Sequence, residues 1–164
     1  MKAMRASEAK AGASGPALWL ATWGGTGLLP WAPGSWASLS ALPFAWLLVA
    51  AGGPWLLAAA ALAVFLVGIW AAERYMAAVG IHDPTAVVID EVPGQWLTLC
   101  LVPLDPLAYA AGFFLFRVFD VLKPWPVSWL DRRVGGGFGV MIDDVAAALY
   151  AGGALWLIDT WVLP

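Results

Sequence analysis

The chain has 164 residues, of which 62% are hydrophobic and 12% are charged, and its formal net charge is −3. A soluble globular protein carries about 25% charged residues, so this composition predicts a membrane protein, and the length suits a single domain covering residues 1–164. Cys100 is the single cysteine and lies in an apolar stretch. It therefore predicts a buried free thiol and excludes a disulfide within the chain.

The first 15 residues, MKAMRASEAKAGASG, are small, polar and cationic, which predicts a disordered tail. Lys2, Arg5 and Lys10 favour keeping this tail in the cytoplasm, because basic segments are retained on that side of a membrane. The apolar run ALWLATW that follows is too short for a secretory signal and has no small-residue cleavage site after it. We therefore expect the tail to remain in the mature protein.

A long apolar run covers residues 36–72 and is interrupted by Gly-Gly-Pro at 52–54, which is a strong turn signal. The run predicts two spans, about 36–51 and 55–72, of which the second is long enough to cross a hydrocarbon core of about 30 Å. Downstream, Asp83 followed by proline predicts the N-cap and first residue of a helix.

The next apolar block, about 96–116, contains VPLDP in its middle, where Asp105 stands between two prolines. This turn leaves two arms of about ten residues each, which suit a re-entrant hairpin or two tilted half-spans better than one straight helix. A hairpin returns the chain to the side that it left, so the polar segments 73–94 and 117–144 are expected to share one face of the membrane.

The final apolar run, 145–163, predicts one more span. Together these elements predict an all-α, polytopic membrane helical bundle with a re-entrant or broken-helix hairpin. The shared polar face is expected to be cytoplasmic, since its second segment carries four basic residues: Arg117, Lys123, Arg132 and Arg133.

Ionisable side chains cluster in the two polar segments, and each segment contains a pair of adjacent carboxylates. The pairs are Asp90 with Glu91 and Asp143 with Asp144, and their oxygens are the ligands that a hard cation such as Mg²⁺ prefers. A bound cation would also relieve the repulsion within each pair. The alternative is that each pair caps a helix or faces headgroup water, with Asp143 and Asp144 favouring the start of the last helix.

Arg117, Asp120 and Lys123 are spaced three apart, which places them on one side of a helix that ends before Pro124. Cations beside a metal site are suited to binding a phosphate dianion, and Lys123 is the stronger candidate. Ion pairs within the helix are the alternative for this set. In DRR at 131–133, Arg133 is expected to be a solvated positive-inside anchor.

Two further features leave alternatives open. His82, the only histidine, is either a general acid or base oriented by Asp83 or a structural residue. The segment GGTGLLPWAPGSWASL at 24–39 lacks the lysine of a Walker A loop, and it suits a backbone nest for an anion or a tight connector into the first span.

Three blocks of this sequence resemble the signature blocks of the phosphatidylglycerophosphatase A family: GTGLLPWAPGSWASL, HDPTAVVIDEVPGQW and FRVFDVLKPWPVSWLDRRVGGGFGVMIDDVAAALYAG. They cover well under half of the chain, in the order and spacing of the family. The departures are Ser35 where threonine is common, Pro93 where valine is common and Gly135 where histidine is common. None of them removes a charged group from the motifs.

The resemblance implies an all-helical bacterial inner-membrane enzyme, and the positive-inside tendency predicts that its site is on the cytoplasmic side. The implied reaction is the Mg²⁺-dependent hydrolysis of phosphatidylglycerophosphate to phosphatidylglycerol and phosphate. The expected partner is thus a phospholipid in the membrane, and no nucleic acid is expected. The expected metal ligands are Asp90, Glu91, Asp143 and Asp144, and the catalytic candidates are Asp90, Glu91, Asp120 and Asp144. The substrate-binding candidates are Lys123, Arg117, Arg132 and His82.

A metal-bound water is the simplest nucleophile for this reaction, with Lys123 and Arg117 holding the phosphate. Asp120 and Asp144 both remain open as nucleophile or base. A non-enzymatic membrane transport or ion-conducting subunit is the alternative function. It would place charges near the middle of its spans, whereas residues 36–72 contain none.

Overall fold

The computed structural model describes residues 15–161, so the predicted tail with Lys2, Arg5 and Lys10 lies outside the described residues. The described part contains α-helices and one short 3₁₀ turn at Thr26–Leu28, and no strand, which confirms the all-α prediction. In chain order the helices are α1 (Pro16–Ala21), α2 (Pro33–Val79), α3 (Glu91–Leu99), α4 (Pro106–Leu122), α5 (Val127–Arg133) and α6 (Gly136–Trp161).

Helix α2 is divided in two by the predicted glycine break. Gly52 has φ −151° and ψ 15°, and Gly53 has φ +73°, a left-handed conformation that glycine adopts without the steric cost of a Cβ. The arms on either side of this break are apolar and helical, as the sequence predicts. α2 and α6 are the two helices in the described residues that are long and apolar enough to cross a membrane.

The chain reverses direction at this break. Gly34, near the start of α2, lies against the side chain of Glu91, and Glu73, near its end, lies against Gly136. Glu91 and Gly136 line the same cleft. A straight helix would separate residues 34 and 73 by about 58 Å at 1.5 Å per residue, so the two arms must fold back on each other.

The helices α3 and α4 form the predicted hairpin. Asp105 caps α4, because its Oδ1 accepts hydrogen bonds from the backbone N–H groups of Leu107 and Ala108, both at 2.9 Å. The two helices have 9 and 17 residues, fewer than the about 20 that one straight crossing needs. The turn at VPLDP therefore has the structure that its sequence indicates.

Close helix contacts bring α3, α4 and α6 together at the level of the polar residues. A Cβ on Gly94 of α3 would lie 2.6 Å from the ring of Phe116 on α4 and 3.2 Å from the carbonyl oxygen of Asp144 on α6. Glycine is thus required for this approach. On its other side, α3 packs on α2, where the indole N–H of Trp96 donates to the carbonyl of Ala41 at 2.9 Å.

The prediction of a helix capped by Asp83 is wrong. The loop between α2 and α3 is not helical, and Asp83 has φ +53°. The backbone N–H groups of Val88 and Ile89 instead donate to the carbonyl of Ala21 in α1, at 2.9 and 3.2 Å. Burial of this apolar stretch against α1 outweighs the local cap signal, and the helix begins at Glu91.

Candidate active site

One cleft with an empty volume of about 630 Å³ contains most of the predicted site residues. Its walls come from the loop before α3, the starts of α3 and α6, the end of α4, and α5. The predicted residues that line it are His82, Asp90, Glu91, Asp120, Lys123, Asp143 and Asp144. The hairpin therefore brings the two polar segments together, as the turn at Asp105 predicts.

Asp143 and Asp144 lie about two turns inside α6, and their exposed fractions are 5% and 3%. The first turn of α6 contains no acidic residue. Because the helix dipole acts mainly within the first turn, a capping role does not explain this buried pair. α6 has 26 residues and is about 39 Å long, so it exceeds a hydrocarbon core of about 30 Å and can carry the pair near its edge.

Lys123 connects two carboxylates on different helices. It ends α4 in a left-handed conformation with φ +43°. Its Nζ lies 2.7 Å from Oδ2 of Asp143 and 2.5 Å from Oδ1 of Asp131. Partial burial lowers the pKa of the Lys123 ammonium, but the hydrogen bonds to Asp131 and Asp143 outweigh this effect and raise the pKa above its ordinary value. Lys123 is therefore a permanent cation in the cleft.

Arg117 lies behind the cleft wall and pairs with two of its carboxylates. Its Nη1 contacts Oε2 of Glu91 and lies 2.9 Å from Oδ2 of Asp120. The pair with Asp120 is the intrahelical one that the spacing allowed. Arg117 does not line the cleft, so it orients Glu91 and Asp120 from behind and does not reach a phosphate in this conformation.

Two residues of α2 that the sequence did not assign to the site determine the position of Glu91. Ser38 Oγ donates to Oε2 of Glu91 at 3.0 Å in a buried position. A Cβ on Gly34 would overlap Oε1 of the same carboxylate. Both lie in the GGTGLLPWAPGSWASL segment, which therefore supports Glu91 with one side-chain hydrogen bond and with the space that a glycine leaves. Its unusual glycine and proline content was the only signal, and it did not point to Glu91.

Burial raises the pKa of the adjacent carboxyl groups of Asp90 and Glu91. The Glu91 pKa rises to about 7, because burial and nearby Asp120 outweigh the Arg117 cation and the hydrogen bond from Ser38. The Asp90 pKa is also raised well above its usual value, first by burial and then by the neighbouring Glu91, Asp143 and Asp120. Seven carboxyl groups line the cleft against one lysine, so the site favours an additional cation.

The predicted metal ligands differ in whether their carboxylate oxygens already have partners within the protein. Glu91 and Asp143 are paired with Arg117 and Lys123. Asp90 Oδ1 and Asp144 Oδ2 are buried without any hydrogen-bond partner. Among residues 15–161, no three acidic, histidine or cysteine side chains already converge in a metal-binding arrangement. The donor chemistry fits a hard cation, with Asp90 and Asp144 as the available oxygens, and side-chain rotation has to complete the ligand set.

Of the predicted substrate-binding residues His82 and Arg132, the structure places only His82 at the cleft. His82 is exposed on the cleft rim, in the loop that also carries Asp83. Arg132 is exposed on α5 and does not line the cleft, although the adjacent Asp131 does. The placement of Arg132 therefore does not support the predicted contact with the reacting phosphate.

The family model described as phosphatidylglycerophosphatase A matches residues 19–159. The chain belongs to the phosphatidylglycerophosphatase A family. The resemblance carried by the three sequence blocks is thereby confirmed, and it extends over most of the chain. Membership of this family, together with the two long apolar helices, makes the chain a membrane protein.

Individual relatives support the same assignment. A phosphatidylglycerophosphatase A of Escherichia coli K12 is 39% identical over 136 residues, which cover 82% of this chain and 78% of the relative. One of Haemophilus influenzae is 37% identical, with 85% and 86% covered. A Bacteroides thetaiotaomicron protein with the provisional name phosphatidylinositol-3-phosphatase is 38% identical, with 85% and 90% covered. No solved structure matches the chain.

Proposed function

We propose that this protein hydrolyses the phosphate monoester of phosphatidylglycerophosphate, giving phosphatidylglycerol and inorganic phosphate. Family membership supports this reaction. The observation that carries it in the structure is the convergence of Asp90, Asp120, Lys123 and Asp144 in one cleft, at one end of the apolar helices. This position suits a substrate whose phosphate is in water and whose acyl chains are in the membrane.

Mg²⁺ is the proposed cofactor, and Asp90 and Asp144 are the proposed primary ligands, because each has a buried oxygen without a partner. Glu91 and Asp143 each have one oxygen, Oε2 and Oδ2, engaged by a cation, so they would join the ligand set through their other oxygen or by exchanging that partner. When bound, Mg²⁺ would offset the charge of the phosphoryl oxygens and lower the pKa of a coordinated water. The cleft has more carboxylates than cations, so without a metal ion it would repel a phosphate dianion. This excess supports the proposed Mg²⁺ site.

The protein's own groups have distinct proposed roles. Lys123 Nζ lies inside the cleft and can donate to the phosphoryl oxygens, in exchange for one of its two carboxylates. Asp120 is the proposed general base: Arg117 holds its Oδ2, which leaves Oδ1 to accept a proton from the attacking water. Arg117 fixes the position of Asp120 from behind the cleft wall. Glu91 pairs with Arg117 in turn, and Ser38 holds Glu91 by a hydrogen bond.

The proposed location is the bacterial inner membrane, with several crossings and the cleft on the cytoplasmic side. The basic residues of the cleft end support this orientation, because positive segments remain in the cytoplasm. Cysteines at Ala78 and Ser128, introduced into a Cys100→Ala background, should both be labelled from the cytoplasmic side. Labelling from opposite sides would contradict a single shared face.

The decisive experiment measures phosphate release by the purified full chain in detergent micelles. Phosphatidylglycerophosphate should be hydrolysed, and Asp120→Asn should lose turnover while remaining folded. Phosphatidylinositol 3-phosphate is the competing substrate, because one relative is named for it. Faster release from that lipid would change the proposed headgroup, and no release from either lipid would contradict the phosphatase function.

The alternative of a transport or ion-conducting subunit has less support. The paired carboxylates are gathered in one cleft at the end of the bundle, next to the exposed loop that carries His82 and Asp83. A permeating ion would require sites near the middle of the spans. Within α2, the apolar stretch from residue 33 to residue 72 contains no charged residue.

A further inference from the structure

The short helix α5 is attached to the protein by one face and exposes the other. Val127 is buried, and α5 packs on α6. On its outer side, Trp129 is 48% exposed, and Trp125, just before the helix, is 76% exposed. Indole side chains are enriched at the level of lipid headgroups, because one end of the ring system is apolar and the other carries a polar N–H group.

The charged residues of α5 also differ in their partners on the two sides of the helix. Asp131 is exposed at the cleft, and its Oδ1 lies 2.5 Å from Lys123 Nζ. Arg132 and Arg133 are exposed, and neither of them forms an ion pair within the described residues. Asp131 pairs with Lys123 and not with either arginine, so the outer face of α5 presents two unpaired guanidinium groups beside two exposed indoles.

We propose that this outer face, formed by Trp125, Trp129, Arg132 and Arg133, binds the headgroups of anionic phospholipids in the surrounding leaflet. The indoles would lie at the headgroup boundary, and the guanidinium groups would pair with lipid phosphates, which they can bind in a bidentate manner. The bound lipid is a neighbour of the cleft and not the lipid being hydrolysed, since Arg132 and Arg133 do not line the cleft.

This surface has a consequence for the cleft. α5 carries Asp131 at the cleft and the two arginines outside it on consecutive residues. An anionic lipid on the outer face would therefore hold α5 against the membrane, with Asp131 kept near Lys123. The surface thus couples the lipid composition of the leaflet to the position of a cleft residue.

Binding can be measured without turnover, so the test does not depend on the proposed reaction. The purified full chain in neutral detergent is titrated with phosphatidylserine, an anionic lipid that is neither the substrate nor the product of the proposed reaction. Phosphatidylcholine serves as the neutral lipid, and bound lipid is counted by native mass spectrometry. Each basic side chain near an anionic surface contributes about fivefold in affinity. We therefore expect Arg132→Gln with Arg133→Gln to weaken phosphatidylserine binding by about 25-fold. Phosphatidylcholine binding should stay the same.

Arg74→Gln and Arg133→Gln form a matched pair of single variants. Arg74 is also exposed, but the exposed Glu73 beside it forms no ion pair within the described residues and offsets its charge, whereas Asp131 beside Arg132 is already paired with Lys123. Arg133→Gln should lose about fivefold and Arg74→Gln should lose nothing, while Arg132→Lys with Arg133→Lys should keep most of the affinity. Thermal midpoints show whether each variant is folded.

Three results would overturn the proposal. Wild-type affinity for phosphatidylserine in the double glutamine variant would show that the arginines do not bind lipid. An equal loss in Arg74→Gln would indicate a general effect of net charge. Equal affinity of the wild type for phosphatidylcholine would show that anionic headgroups are not selected. Each of these results is independent of whether the purified protein releases phosphate.

Discussion

Replacing Gly34 with alanine should lower turnover by about 100-fold while the protein stays folded. A Cβ at this position would overlap Oε1 of Glu91 and would lie 3.0 Å from its Cδ and 3.3 Å from Arg117 Nη2. Carbon atoms in contact are ordinarily about 3.5 to 4.0 Å apart, so Cδ of Glu91 would have to retreat by about 0.5 to 1 Å, and the overlapped Oε1 would have to move farther. Ser38 and Arg117 would lose their present geometry with it.

The expected size of the loss in turnover follows from the groups that Glu91 holds in place. Displacing a catalytic group by about 1 Å costs about 10²-fold in rate, and Glu91 positions Asp120 through Arg117. The effect on stability should be smaller, because the displaced atoms are the end of a flexible side chain. Weakened hydrogen bonds to a charged group cost about 1.5 to 3 kcal/mol, and alanine in place of a helical glycine recovers about 0.5 to 1 kcal/mol.

The assay compares kcat and the thermal midpoint of Gly34→Ala with those of Gly153→Ala. Gly153 lies inside α6, and a Cβ there would meet nothing within 4 Å, so this control should keep its turnover and its fold. Turnover of Gly34→Ala within about twofold of the wild type would refute the reasoning. That result would show that the Glu91 position does not affect the reaction.

Three other outcomes are expected. Asp144→Asn should lower turnover by about 10² to 10⁴ and keep the thermal midpoint, whereas near-normal turnover in both Asp144→Asn and Asp143→Asn would remove this pair from the site. Excess EDTA should abolish phosphate release, and Mg²⁺ should restore it better than Ca²⁺, so full activity in EDTA would contradict the metal proposal. Without metal, folded Glu91 retains its proton up to a pKa of about 7, against 4.5 ordinarily. The native state therefore binds more protons between these values, and the thermal midpoint in EDTA should fall as pH rises from 4.5 to about 7. If the thermal midpoint of Glu91→Gln shows the same pH dependence in EDTA, another group causes the fall.

The sequence by itself determined the features that depend on local chemistry. The break in α2 needs only the backbone freedom of Gly52 and Gly53, and the start of α4 needs only the cap that Asp105 provides two and three residues ahead. The carboxylate pairs are adjacent in sequence, so their repulsion and their suitability for a cation were visible without a structure. The order and spacing of the three blocks were sufficient to indicate the family.

The tertiary structure alone decided which groups meet. Ser38 and Glu91 are 53 residues apart in the chain, and no local pattern relates them. Asp131 and Arg132 are neighbours in sequence, yet one lines the cleft and the other faces outward. Even the local signal at Asp83 was overridden by the burial of Val88 and Ile89 against α1. Local sequence sets the backbone conformation of each segment, but the partner of a side chain depends on how packed helices are rotated and how closely they approach, and contacts distant in sequence determine both.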